Sequence, residues 1–436
     1  MAGDYLWYNP AMSRLLPDLL GTLFPGASRS YIFKEQEMAL PSQPGRLNLY
    51  VHLPFCRSIC PFCPYVKEVH HAGTAAAYGE ALLTELEFLH RRWGSALEVE
   101  SVYFGGGSPS LTPQIIQKVM EFIGGRFRFE GEAGVEIHPL DALPGALGSL
   151  KAGGITMASL GVQTFNPRLL ALLRRGYSGD LALQASHRVL AAGFESTDID
   201  LLTALPGQSL EEAAVDIETA IGAGFPQLSV YPLIPFKYAP LARSLAETGL
   251  KMPSARMERR MLEKALSLTR SAGYQRSSIW SFNKPGSRRY TTVTRNSFLG
   301  IGAGAASRIG DLFFLNTFDT AEYIRRMGEG RSAATLSVTL KQADRMAYWL
   351  FWRCYDTRID LEAFRRMFGV ELPGRIKAML HLGTLLGLTR REGHTLRLTD
   401  KGAYLFHLVE KEYTHAYLEK MWQACLNEAA PPEVVL

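Results

Sequence analysis

Tyr50-Val51-His52-Leu53-Pro54-Phe55-Cys56-Arg57-Ser58-Ile59-Cys60-Pro61-Phe62-Cys63 is the stretch from which the rest of the chain can be read. A strand-like apolar run delivers three of the chain's five cysteines, spaced Cys-x-x-x-Cys-x-x-Cys. Three thiolates in one short loop suit an iron–sulfur cluster, because Cys sulfur is the preferred soft ligand for iron in such clusters. A four-iron cluster on three protein ligands leaves one iron open to a substrate or cofactor. Structural zinc wants four protein ligands, and the nearest additional candidates, His70 and His71, complete no well-spaced tetrad. A [4Fe-4S] cluster on Cys56, Cys60 and Cys63 is therefore preferred to zinc or to a chance group of thiols. Cys354 and Cys425 lie far away in helical context, where an inert buried thiol is expected.

Outward from that loop, short apolar runs alternate with helical patterns, the rhythm of βα units around a mainly parallel sheet. Strands are expected at 47–53, 99–104, 134–137, 157–161, 197–201 and 228–233. Helices are expected over 74–91, from Thr112-Pro113 with Thr112 as N-cap, and near Pro144, Pro167, Asp180 and Ser209, the last with a Ser209-x-x-Glu212 capping box. Six such units predict an α/β fold, a partial (β/α)6 barrel with its site at the carboxyl ends of the strands. An amphipathic helix follows over 254–272, and Leu396-Arg397-Leu398-Thr399-Asp400-Lys401-Gly402 resembles the wing of a winged-helix-like module. The expected organisation is an amino-terminal arm (1–45), the barrel (46–250), a barrel extension (251–335) and a helical, winged-helix-like carboxyl-terminal domain (336–436).

The 436 residues are 47% hydrophobic and 20% charged, ordinary for a soluble enzyme, and the net charge of +5 is no nucleic-acid signature. Few cysteines, clustered like ligands, argue for a reducing compartment and a cytoplasmic location. The amino terminus lacks a signal-peptide pattern, and no apolar run approaches the roughly 18 residues of a membrane span. The aromatic residues Tyr5, Trp7 and Tyr8 and an amphipathic stretch over 12–24 leave peripheral membrane contact conceivable, with a packed helix or lid preferred.

Phe104-Gly105-Gly106-Gly107-Ser108-Pro109 follows the second strand directly, where absent side chains let backbone amides form an anion-binding nest. Glu136, Gln163, Arg175 and Asp200 fall at or after the ends of later strands. Singly, each is more often a cap or a satisfied structural group; their shared place on one rim favours a ligand. His52 and His138 sit beside these motifs and read as hydrogen-bonded structural residues. Arg288, Arg289 and Arg295 form a basic cluster that reads as a solvated surface run, with a substrate carboxylate or phosphate as the sharper alternative.

Taken together, these residues resemble the radical S-adenosylmethionine (SAM) superfamily, in which the three-cysteine motif holds a four-iron, four-sulfur cluster. Tyr50-x-His52-x-Pro54-Phe55-Cys56, the turn from Gly105 to Pro109, Gly161-Val162-Gln163-x-Phe165, Ile199-Asp200-Leu201, Leu299-Gly300-Ile301-Gly302-Ala303-Gly304-Ala305 and Leu398-Thr399-x-x-Gly402 are similar to the oxygen-independent coproporphyrinogen oxidase group. The likeness covers roughly residues 46–425. It implies that one electron from the cluster cleaves bound SAM to methionine and a 5′-deoxyadenosyl radical. It further implies that Tyr50, Gly106, Ser108, Gln163, Arg175 and Asp200 contact this SAM and that Glu136 stands between it and a second SAM. The resemblance likewise implies that Gly302, Ala303 and Ala305 border the second molecule. Tyr50 and Glu136 are the residues expected to act closest to the chemistry. A reducing electron donor such as flavodoxin or ferredoxin is implied as partner.

The group supports several reactions. Its coproporphyrinogen oxidases carry a further cysteine two residues past the third ligand and an Asp-Pro-Arg after the glutamate; here Tyr65 and Ile137-His138-Pro139-Leu140 stand there. Its heme chaperones carry a His-Asn pair before a Tyr-Trp pair; here the region reads Ser287-Arg288-Arg289-Tyr290-Thr291-Thr292. The expectation is accordingly a class C radical SAM methyltransferase, using two SAM molecules to methylate an sp² carbon of a conjugated or aromatic small molecule such as a quinone, a heteroaromatic natural product or a tetrapyrrole. The alternatives are a coproporphyrinogen oxidase-like or heme-ring-opening enzyme, or a heme chaperone. A non-enzymatic electron carrier is the contrasting class.

Overall fold

The computed structural model describes residues 23–24, 26–36, 40–291 and 294–436. The aromatic residues 5–8 and most of the stretch 12–24 lie outside the described residues. No helix among the described residues is long and apolar enough to cross a membrane.

Six parallel strands stand side by side in chain order: β1 (Gly45–Leu53), β2 (Leu97–Gly106), β3 (Arg128–Ile137), β4 (Met157–Gln163), β5 (Ser196–Thr203) and β6 (Gln227–Pro232). β1, β2, β3 and β5 begin one to six residues earlier than the apolar runs suggest, β4 begins where expected and runs two residues further, and β6 matches to within one residue at each end. The period-two alternation of a strand explains both faces. Leu47, Leu49, Val51 and Leu53 of β1, Val102 and Phe104 of β2, Val135 and Ile137 of β3, Leu160 and Val162 of β4, and Ile199 and Leu201 of β5 are buried in one core with the surrounding helices. Burying each such side chain stabilises the fold by about 1.5–3 kcal/mol relative to exposure. The alternate residues are polar or small: Asn48, Tyr50 and His52, then Ser101, Tyr103 and Gly105, Gly134 and Glu136, Ser159 and Gly161, Asp198 and Asp200, Ser229 and Tyr231. They line the opposite, inner face of the sheet.

Helices Ala72–Trp93, Pro113–Arg126, Pro144–Ala152, Gly179–Ala191 and Leu210–Ala223 connect successive strands. Ser209 forms the expected capping box with Glu212. Thr112 precedes its helix without capping it, because a short turn over Pro109–Leu111 draws its hydroxyl to the Pro109 carbonyl instead.

The sheet continues past β1 through Phe298–Ile301, which pairs parallel with β1, and then antiparallel through Ala306–Ile309, Leu312–Asn316 and Ala334–Thr339. Ile32–Lys34 and the chain end Glu433–Val435 complete that edge. Helices Gln342–Tyr355, Leu361–Phe368 and Gly374–Leu385 pack around Trp349, Ile359, Phe364 and Ile376, with Phe24 in the same core. Beside them Thr395–Leu398 is the middle strand of a small three-stranded sheet, the wing position read from the sequence. After Asp400–Tyr413 the chain runs on into Glu419–Asn427, which returns to the barrel side, where Met421 and Cys425 pack with Phe33, Val66 and Leu336.

Candidate active site at the carboxyl ends of the strands

β1 ends at Leu53 and feeds directly into Pro54, Phe55 and the cysteine loop, so the three thiols project over the carboxyl ends of the parallel strands. All three are half-buried and unpaired by disulfides. The Cys63 amide donates to the Cys60 carbonyl at 3.3 Å, the Ser108 hydroxyl lies 4.0 Å from Cys56 Sγ, and Arg175 Nη1 lies 3.4 Å from Cys60 Sγ. Burial, together with Cys63, pushes the Cys56 thiol up to about 12, and burial raises Cys63 as well. A bound metal centre opposes that cost by replacing the proton. Among the described residues no three His, Cys, Asp or Glu side chains converge on a point that a single ion would occupy. Three half-buried soft thiolates on one loop, with the Arg175 guanidinium beside Cys60, are a donor set that fits a four-iron cluster.

The glycine turn after β2 does something other than form a nest. Its amides are already used: Gly106 donates to Glu136 Oε2 at 3.2 Å, Gly107 to the Leu53 carbonyl and Ser108 to the Phe55 carbonyl, each at 2.8 Å. The missing side chains serve close packing instead. A Cβ on Gly105 would stand 2.9 Å from the Tyr50 ring and 3.0 Å from Glu136 Oε1, and one on Gly106 (φ +120°) 2.7 Å from the His52 ring. The expectation of free backbone donors is corrected here: parallel β1 and β2 lie edge to edge, so the turn must close against the cysteine loop.

Glu136 therefore sits in a built niche, accepting from Gly106 N–H and from the Tyr103 hydroxyl at 3.0 Å. Burial and the nearby Asp200 carboxylate raise its pKa to about 7 against those two donors. Asp200 accepts from Ser159 at 2.7 Å, and burial raises its pKa also. Arg175 is fixed by Gly161 O at 2.6 Å and by the Tyr177 hydroxyl at 2.9 Å; burial opposes its charge, but Tyr177 and Cys60 more than offset that and raise its pKa. Gln163 ends β4 in a left-handed conformation (φ +70°) that few non-glycine residues adopt. A bulge at Gly161/Gln163 produces it and brings the side chain back toward Gly161.

Tyr50 stacks on Tyr103, with ring centroids 6.1 Å apart and planes at 16°. Its hydroxyl lies 3.0 Å from His52 Nδ1, and His52 Nε2 lies 2.9 Å from the Val66 carbonyl. A carbonyl only accepts, so Nε2 carries the proton and Tyr50 donates to Nδ1. Burial lowers the His52 pKa to about 4, keeping the ring neutral. His138 is likewise structural: its ring accepts from the Leu140 amide, and burial lowers its pKa to about 3.

The segment Gly302 to Ala305 joins the same rim, but its amides are also engaged. Gly302 N–H donates to Glu85 and Ala303 N–H to the Tyr78 hydroxyl, at 2.9 and 2.8 Å, while Gly304 and Ala305 bond to Thr317 and Gly302 carbonyls. Glu85 also accepts from Tyr323 and Asn316. A Cβ on Gly304 (φ +71°) would lie 2.4 Å from Val66 Cγ2, so this turn packs on the chain that leaves the cysteine loop.

Tyr103, Ser159, Tyr231, Tyr78 and Glu85 were not singled out from the sequence. For the strand residues a signal existed, the polar partner of each apolar alternation; for the helical pair it did not. The arginine cluster lies elsewhere. Arg288 pairs with Glu132 and Glu195, and Arg289 with Asp356. Arg288 and Arg295 line a polar cleft with Arg46, Glu98 and Arg128, at the amino ends of β1 to β3.

The sequence profile of the radical SAM superfamily matches residues 50–220. Over 391 residues the chain is 30% identical to the oxygen-independent coproporphyrinogen III oxidase of Salmonella typhimurium, covering 84% of each. It is 26% identical over 366 residues to the heme chaperone HemW of Bacillus subtilis, covering 82% of this chain and 96% of that protein. The solved structure of the coproporphyrinogen III oxidase HemN from Escherichia coli superimposes with a TM-score of 0.75 at 24% identity, over 88% of this chain and 95% of that one. A matched superfamily profile beginning at Tyr50, a shared fold and a relative this similar over most of both chains place the cysteine loop in known company: the chain belongs to the radical SAM superfamily, among the coproporphyrinogen III oxidase-like proteins that include heme chaperones.

Proposed function

We propose that this protein is a radical SAM enzyme that acts on a tetrapyrrole held over the cysteine loop, in the manner of the coproporphyrinogen oxidase-like alternative rather than the methyl transfer expected first. The observation that carries the reading is the single rim on which Cys56, Cys60, Cys63, Tyr50, Glu136, Arg175 and Asp200 meet. The relatives are named as acting on coproporphyrinogen or as chaperoning heme, which supports a tetrapyrrole over a quinone. Cys56, Cys60 and Cys63 hold the cluster, which supplies, when bound, the electron that cleaves SAM to a hydrogen-abstracting radical.

The chain's own groups then position and protect. Arg175 holds positive charge beside Cys60. Asp200 and Gln163 offer acceptors to SAM, and Ser108 and Gly106 border it. Glu136, with a pKa of about 7, holds or yields a proton beside Tyr103 near neutral pH. Tyr50 donates to His52 and so presents only lone pairs to its other side. The buried strand ends exclude the water that would quench a reactive intermediate.

Methyl transfer remains a second reading on two departures from the oxidases' pattern: Tyr65 occupies the position of their additional cysteine, and Ile137-His138-Pro139-Leu140 supplies no arginine. It requires a second SAM at Gly302, Ala303 and Ala305, reached through carbonyls and side-chain contacts because the amides are taken. The test is anaerobic: cluster-reconstituted protein, dithionite, methyl-deuterated SAM and a panel of coproporphyrinogen III, heme and menaquinone, with products quantified by mass. Undeuterated 5′-deoxyadenosine with an altered tetrapyrrole is expected. Deuterated 5′-deoxyadenosine with S-adenosylhomocysteine establishes methyl transfer instead, and tight heme binding without SAM cleavage establishes a chaperone.

A further inference from the structure

The segment between the first two cysteines of the loop is braced from outside the loop. Among the described residues Ser58 and Ile59 make no hydrogen bond. The Arg57 side chain instead reaches across to Asp141, with Nε at 2.8 Å and Nη2 at 2.5 Å from the same carboxylate oxygen. Asp141 ends the short turn Pro139–Asp141 that follows β3. Its side chain is 2% exposed, against 50% for Arg57. A carboxylate so deeply buried requires a matching charge and partners for its lone pairs. Its other oxygen accepts from the Ser110 hydroxyl at 3.1 Å, and the Ser110 oxygen accepts in turn from the His138 amide at 3.1 Å. Two residues before Ser110, the Ser108 amide donates to the carbonyl of Phe55, the residue before Cys56.

The same turn also bears on the second cysteine. The His138 ring packs edge-on against Tyr177, with centroids 5.3 Å apart and planes at 76°. The Tyr177 hydroxyl accepts from Arg175 Nε at 2.9 Å, and Arg175 Nη1 lies 3.4 Å from Cys60 Sγ. One turn therefore supports both ends of the Cys56–Cys60 segment, through Asp141 and Arg57 beside Cys56 and through His138, Tyr177 and Arg175 at Cys60. Side chains that hold ligands from behind in this way fix the spacing that a metal centre meets.

We infer that Asp141 is a positioning residue for the cluster: by clamping Arg57 it holds the Cys56–Cys60 segment in ligating geometry. The inference rests on the assignment of the cluster to Cys56, Cys60 and Cys63. A clamp and a purely electrostatic influence leave different traces. Asp141 and Arg57 carry opposite charges, so an effect of charge on the cluster reverses sign according to which of the two is removed. Loss of a clamp has the same sign whichever half is removed.

The experiment uses the full chain with its cluster reconstituted anaerobically, in the wild type, Asp141→Asn, Arg57→Ala, the double variant and Arg57→Lys. Glu258→Gln is the control, because Glu258 is also a buried carboxylate, bonded to His407 at 2.7 Å and to Lys411 at 2.8 Å on the helix Asp400–Tyr413. The rate of iron release to bathophenanthroline disulfonate is measured for each, together with urea unfolding of the metal-free chain. Iron release is expected to be about tenfold or more faster in both Asp141→Asn and Arg57→Ala, the usual scale of loss when a ligand's support is removed. The double variant should exceed the faster single variant by less than about threefold, since the two residues act as one unit. Arg57→Lys should return to within about threefold of the wild type, and Glu258→Gln should stay within about twofold. Arg57 is half-exposed, so Arg57→Ala carries the test if Asp141→Asn does not fold. Wild-type iron release in both single variants overturns the clamp and leaves the proposed function standing. Opposite changes in the two single variants overturn it in favour of charge alone. Release from Glu258→Gln as fast as from Asp141→Asn, at an equal loss of unfolding stability, overturns it in favour of a merely structural residue. A wild type that takes up no iron and sulfide overturns the cluster assignment and the clamp with it.

Discussion

Glu136→Gln provides the sharpest check on the electrostatics of the rim. In the folded protein its carboxyl is desolvated and faces Asp200, and its pKa rises from 4.5 to about 7. The folded state therefore binds this proton more tightly than the unfolded chain does. Stability from that difference is fully present below about pH 4.5 and is lost as pH rises through about 7. At 1.36 kcal/mol per pKa unit, the ionised carboxyl costs the fold about 3 kcal/mol at pH 8 and roughly 1 kcal/mol at pH 5. These are upper limits, because the group also meets solvent in the open site. Glutamine does not titrate, so in urea unfolding of the cluster-free protein the variant should gain about 2 kcal/mol on the wild type between pH 5 and pH 8. Any constant offset from altered bonds to Gly106 and Tyr103 drops out of that comparison. Two further variants carry opposite signs. Asp200→Asn removes the repelling charge and should move the wild-type inflection to lower pH, whereas Tyr103→Phe removes a stabilising donor and should move it higher. Parallel pH profiles for wild type and Glu136→Gln would refute the reasoning.

Gly304→Ala places a Cβ 2.4 Å from Val66 Cγ2 at φ +71°, whereas Gly273→Ala (φ +83°) meets nothing within 4 Å. Urea unfolding should show a loss of about 2–5 kcal/mol for the first, from left-handed strain plus overpacking, and about 1–2 kcal/mol for the second, from strain alone. Serine at Cys56, Cys60 or Cys63 should abolish the cluster's visible absorption after reconstitution, while serine at Cys354 or Cys425 should leave it; an intact band in any of the first three contradicts the ligand assignment. Glu85→Ala should cost about 2–4 kcal/mol by stranding the donors Gly302 N–H, Asn316 and Tyr323. Glu85→Gln, which retains one accepting oxygen, should cost about half as much in the same unfolding assay.

Much of the architecture was legible because it is written locally. The cysteine spacing, the alternation of apolar strand and amphipathic helix, the Ser209 capping box and the strand-end positions of Glu136, Gln163 and Asp200 are all short-range patterns, and together they determined a six-strand parallel barrel with a cluster loop after its first strand. Other features depend on which segments the fold brings face to face. The glycine turn after β2 reads as an anion nest, but with β1 and β2 side by side its amides are claimed by Leu53, Phe55 and Glu136. Tyr103 and Tyr231 gained roles because closing the sheet turned their side of each strand inward, toward Glu136 and Asp200. Phe24, Ile32–Lys34 and Glu433–Val435 come from the two ends of the chain and are joined by core packing and an edge pairing that no local spacing announces. Trp422 packs on Tyr65, and Glu419 accepts from the Lys237 amide, contacts between segments far apart in the chain. The sequence by itself determined which residues could ligate and where strands would end. Tertiary structure decided which of the remaining polar groups are spent on each other and which stay open at the carboxyl ends of the strands, since hydrogen-bond partners far apart in the chain are chosen by the closing of the sheet.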